Sequence, residues 1–132
     1  MTLTTIILLY IAFRLKHFLC DFILQTDWMA NTKAQPSREG NKALFIHALI
    51  HAVGTTVATV IFLPAYWWLG VIDFFVHGFF DFIKGRLTYK MAWTPKDTKF
   101  WWAIGFDQEL HNYTHFIYVL LIISALGGFS FT

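Results

Sequence analysis

No Asp, Glu, Lys or Arg occurs between Lys42 and Asp73, nor between Glu109 and Thr132. A run of ~18 or more uncharged, mostly apolar residues matches the hydrocarbon layer of a bilayer. These two gaps therefore predict a membrane protein. The rest of the chain agrees, with 57% apolar, 20% aromatic and only 14% charged residues, against roughly 25% charged in soluble domains. The expectation is one domain over residues 1–132, an all-α membrane protein folded as a four-span transmembrane helical bundle. Its spans fall at about 3–25, 43–63, 66–87 and 104–126.

No basic region precedes the first apolar run, and Arg14 and Lys16 interrupt it, so it reads as a retained helix and not as a cleaved signal peptide. A single cysteine, Cys20, excludes an internal disulfide and reads as a small core residue. A net charge of +2 is too small to argue for nucleic acid. The basic residues lie beside the spans, where anionic headgroups attract them.

Ionisable residues inside the spans are expensive unless they face one another, and here they recur at helical spacing. The first span carries His17, Asp21 and Gln25 at i, i+4 and i+8, with Arg14 nearby or cations on neighbouring helices as partners for Asp21. The second carries His47 and His51 one turn apart. The third carries Asp73, His77, Asp81 and Lys84 at spacings of 4, 4 and 3 residues, and the fourth carries Asp107, His111 and His115. At ~100° per residue each set makes one polar stripe on an apolar cylinder. In the second span Gly54 and Ala58 permit close helix approach.

Residues 26–42 and 88–103 read as polar loops. Trp28 and Met29 mark the interface in the first, and Thr94, Pro95 and Asp97 in the second signal a helix start. Lys33, Arg38, Lys42, Arg86, Lys90, Lys96 and Lys99 all lie in or next to these loops, with no basic residue at the Pro64 turn. That asymmetry predicts cytoplasmic loops and termini on the non-cytoplasmic side. Measured from the loop side, His17, Asp21, His47, His51, His77, Asp81, Asp107 and His111 all fall roughly 5–15 Å below the boundary at 1.5 Å per residue. Asp73 and His115 lie deeper and read as helix glue.

Histidines one turn apart can clamp a transition metal, and carboxylates complete a nitrogen and oxygen shell suited to zinc, with iron or manganese as alternatives. Such an ion polarises a phosphoryl or carbonyl oxygen and activates water. The chemistry implied is a metal-dependent hydrolase acting on a lipid-like or lipid-phosphate substrate from the cytoplasmic leaflet. Two other classes fit the same residues: an ion or proton transporter or relay subunit, and a non-catalytic assembly or regulatory protein. A polar track to the far face favours the former, and a site filled by its own salt bridges the latter. A haem held by two histidines is a further option, at odds with so many carboxylates.

The ordered series His17-x3-Asp21-Phe22-x-Leu24-Gln25, His47-x3-His51, His77-x3-Asp81-x2-Lys84 and Asp107-Gln108-x2-His111 resembles a domain-of-unknown-function family of small bacterial inner-membrane proteins. The resemblance spans nearly the whole chain and implies that these are the functional positions, in a multi-pass protein of the bacterial inner membrane. Asp73 and His115 fall outside the pattern. The resulting assignment takes His47, His51, His77, Asp81, Asp107 and His111 as metal ligands, more than one tetrahedral ion needs. Asp21, with His17, is the catalytic base or orienter, and Gln25, Lys84 and Gln108 contact substrate. The partner expected is membrane lipid, with no nucleic acid; a homo-oligomer is compatible with the sequence.

Overall fold

Ser37 closes the N-terminus of a 25-residue apolar helix by accepting the Gly40 amide at 3.0 Å, and Pro64 stops that helix at its far end. This segment, α3 (Arg38–Phe62), is one wall of an all-helical bundle in the computed structural model, which describes residues 2–128. Before it come α1 (Leu3–Phe18), extended by a π-helical turn over Leu19–Ile23, and the short α2 (Asp27–Thr32). After it come α4 (Leu69–Lys90) and α5 (Thr98–Ala125). The described residues contain no strand.

The helices α1, α3, α4 and α5 pack as a ring, each against the next, and α2 lies against α3. Gly70 sets the tightest seam. A Cβ there would overlap Thr56 Oγ1 and lie 2.6 Å from the Ala52 carbonyl, so α4 reaches α3 only without a side chain at this point. Gly70→Val is therefore expected to cost ~1–3 kcal/mol by overpacking, read as a lower melting temperature in detergent. Gly54, expected at a close approach, faces α1, where a Cβ would stand 3.0 Å from Lys16 Cγ and 3.1 Å from Cys20 Sγ.

Both polar loops lie at one end. Arg86 donates to the Ala34 carbonyl at 2.9 Å and to the Asn41 side chain. At the other end Leu9, Phe13, Ala58, Leu69, Val119 and Ile122 close the bundle with an apolar cluster. Between these ends the usual distribution is reversed. His47, His51, Thr55 and Thr59 are fully buried, whereas Ile61, Phe75 and Phe106 are 71%, 67% and 69% exposed. Among the described residues only α3 is long and apolar enough to cross a membrane by length and composition, with mean hydropathy 1.8.

Three expectations need correction. The loop over residues 26–42 contains a helix, because Thr26 accepts the Met29 amide at 3.3 Å and nucleates α2; Met29 is buried instead of marking an interface. The helix start assigned to Thr94 comes later. Asp97 Oδ2 does accept the Thr94 amide and hydroxyl at 2.8 and 2.9 Å, but this closes a separate turn ahead of α5. The row His17–Asp21–Gln25 breaks after Asp21, since the π turn, with Leu24 N–H donating to the Leu19 carbonyl at 2.8 Å, inserts an extra residue. Gln25 thus sits beyond the helix and its amide folds back to the Asp21 carbonyl at 3.1 Å.

Candidate metal centre

Asp21 is the hub where the helices meet. Its Oδ1 lies 3.0 Å from His51 Nε2 and 3.3 Å from His47 Nε2, and its Oδ2 lies 3.0 Å from His17 Nε2. Gln108 donates its Nε2–H to the same Oδ2 at 3.1 Å, while its Oε1 stands 3.1 Å from His17 Nε2. π turns occur often at functional sites because they re-aim a side chain, and here Asp21 stands at the middle of one. A four-helix convergence read from depth alone is realised as direct contact.

The second hub is Asp81, 3.2 Å from His47 Nε2, 3.5 Å from His111 Nε2 and 4.0 Å from His77 Nε2. Lys33 donates to its Oδ2 at 2.7 Å, and Lys84 stands 3.6 Å from its Oδ1 and 3.1 Å from Asp107 Oδ2. His77 joins the hubs. Its ring stacks on His51 at 3.5 Å between centroids and on His111 at 3.9 Å.

Two overlapping groups have potential ligand atoms all within 4.8 Å of one another: Asp21, His47, His51 and His77, and then His77, Asp81 and His111. His77 is common to both. Asp107 belongs to neither group, although its Oδ1 is 3.4 Å from His111 Nε2. Those two buried atoms lack any partner in hydrogen-bond geometry. Buried polar atoms are nearly always satisfied, so this orphaned pair is a place where a cation would supply the missing bond. Three carboxylates (Asp21, Asp81, Asp107) and two ammonium groups (Lys33, Lys84) meet at these hubs among the histidines. The donor set fits a divalent ion.

A cavity of about 240 Å³ opens from these hubs toward the loop end, lined by Asp21, Gln25, Lys33, Asp81, Lys84 and Gln108 among others. Every residue assigned from sequence to substrate contact lines it. Lys33, read only as a loop cation, does so too, because α2 folds the loop back over α4.

Deeper in the bundle lies a second cluster. Lys16 donates to Asp73 Oδ2 at 2.8 Å and stands 3.3 Å from His51 Nδ1 and from His115 Nε2. Thr55 donates to Asp73 Oδ2 at 2.6 Å and Tyr118 to its Oδ1 at 3.4 Å. Asp73 and His115 are thus members of a polar network and not isolated glue. Of the two partners expected for Asp21, Arg14 makes no ion pair with it and the neighbouring helix α3 supplies His47 and His51; Lys16, two residues after Arg14, pairs with Asp73. An ammonium group only donates, so His51 Nδ1 accepts from Lys16, and the proton of neutral His51 belongs on Nε2, facing Asp21. This tautomer follows from the network.

No curated protein and no solved structure matches this chain significantly. A family model described as "Protein of unknown function (DUF3307)" matches residues 8–130, nearly the whole chain, and the protein belongs to that family.

Proposed function

We propose that the protein is a metal-dependent hydrolase set within a four-span bundle of the bacterial inner membrane, acting on a lipid-phosphate substrate that enters from the cytoplasmic leaflet. The observation that carries this reading is the pair of buried ligand groups sharing His77. Zinc suits their nitrogen and oxygen donors, with iron or manganese as alternatives. His51 hands its Nε2–H to Asp21 and is therefore better suited to orienting that carboxylate than to binding metal. Asp21, His47 and His77 then form a three-ligand set with an open position, the arrangement of catalytic sites. The ion supplies Lewis acidity and an activated water. On the protein side, His17 and Gln108 hold Asp21 in place, while Lys84 and Asp107 flank the cavity.

Three features support the membrane setting. The helices α4 and α5, and α1 taken with its π turn, each extend ~30 Å or more at 1.5 Å per residue, enough to cross the hydrocarbon. Their mean hydropathy is lowered by polar residues that point inward, while their outer faces are apolar. Polar groups inside and aromatics outside reverse the soluble pattern. The cavity shares its end with the basic loops, which supports the loops as cytoplasmic and the termini as external.

A transporter needs a path to the other face, and the apolar cluster around Leu9, Phe13, Leu69 and Ile122 stops the polar network at Tyr118. A second reading has its own observation. The carboxylates already pair with Lys33, Lys84 and the histidines, and a self-satisfied network suits a non-catalytic assembly protein. Elemental analysis after purification without chelators separates them. The hydrolase reading expects one or two equivalents of zinc, iron or manganese per chain, and metal-dependent release of phosphate from lipid monophosphates in nanodiscs. Metal-free protein that takes up no added zinc sinks it and leaves the assembly reading.

A further inference from the structure

From the α4–α5 seam we infer that the protein binds an anionic, phosphate-class amphiphile with its headgroup at Lys33 and Lys84 and its alkyl chain in the crevice between these two helices. This rests on the substrate reading above and adds the route and the posture of the ligand.

Three observations combine. The crevice, about 160 Å³, is walled by Phe80, Ile83, Leu87, Ala103, Phe106 and Leu110 and opens on the outer face of the bundle. Lys84 and Asp107 line both this crevice and the polar cavity, so the apolar slot and the ionic chamber meet at that ion pair. Larger apolar grooves lie between α3 and α4, lined by Phe45, Phe74 and Phe75. They share no residue with the polar cavity. Continuity, not size, selects the α4–α5 crevice.

Charge selects the headgroup. Lys33 and Lys84 are the cations of the cavity, with side chains only 14% and 22% exposed. Each ammonium has three N–H groups and stands within hydrogen-bond distance of one carboxylate, so donors remain for an anion. Ala103 stands where a large side chain would close the slot from the α5 side, without touching either ligand group.

The test uses the full chain in phosphatidylcholine nanodiscs and a photoreactive alkyl phosphate carrying a mid-chain diazirine. Crosslinks are expected on Ile83, Leu87, Phe106 and Leu110. An unlabelled alkyl phosphate should compete, and an alkyl trimethylammonium of equal length should not. In Ala103→Trp, labelling should fall about tenfold, the equivalent of ~1.4 kcal/mol of binding. Inorganic phosphate, followed by 31P line broadening, should bind that variant as it binds the wild type. Labels spread evenly over Phe45, Phe75 and Phe79, or equal competition by the cationic amphiphile, overturn the proposal whether or not the variant folds. Phosphate binding without crevice labelling assigns the cavity to a free anion and also overturns it. Crevice labelling in metal-free protein leaves this inference standing while the hydrolase reading fails.

Discussion

His77→Ala should strip the protein of metal. Its imidazole is common to both candidate groups, so its loss leaves Asp21, His47 and His51 on one side and only Asp81 and His111 on the other. Altering a group that merely orients a ligand costs 10–100-fold in metal affinity, so removing a ligand shared by both groups should cost at least ~100-fold, about 2.7 kcal/mol. Elemental analysis should fall to background, and a chromogenic chelator should withdraw any residual ion quickly. His77→Gln keeps volume and polarity and should fail in the same way, which separates ligand loss from collapse of the His51–His77–His111 stack. His115→Ala lies outside both groups and should retain metal. Full metal content in both His77 variants would place any bound ion elsewhere.

The residues of this centre were legible because helical period and depth are properties of the sequence. His47 and His51, or Asp107 and His111, must share a face of a helix, and charged side chains in an apolar segment must turn inward. Which partner each one meets is not written in any period. Lys33 reaches Asp81 only because Thr26 caps a short helix inside what reads as a loop. Arg14 and Lys16 are equally plausible partners for a carboxylate by spacing, and the choice falls to Lys16 through the glycine seam at Gly54, where its stem lies against α3. Gln25 leaves the helical row for a different reason: the 3.6-residue period assumes an α-helix, and the π turn at Leu19–Ile23 departs from it. Asp73 lies too deep for the Asp21 layer, and the same depth delivers it to Lys16.

That deep pair supports the other large effect. Lys16 and Asp73 have side chains 4% and 1% exposed, 2.8 Å apart. A buried pair of this kind adds little net stability, because desolvation offsets attraction, but removing one partner strands the other charge and costs ~3–5 kcal/mol. Lys16→Met should therefore lower the unfolding free energy in mixed micelles by about that amount, leaving Asp73 with the Thr55 and Tyr118 hydroxyls and with His115 Nε2 at 3.8 Å. Lys16→Met with Asp73→Asn should restore most of the loss, since no charge remains and the amide oxygen can still accept from Thr55 while its NH2 group faces the Tyr118 oxygen. A double-mutant cycle reads the coupling directly. The same variants separate scaffold from centre. If the deep cluster only pins the helices, the double variant regains stability and metal together. If Lys16 also fixes His51 to donate toward Asp21, stability returns while His51, no longer held as an acceptor, is free to close the open position. A cobalt-substituted sample would then report the change as an altered ligand-field spectrum.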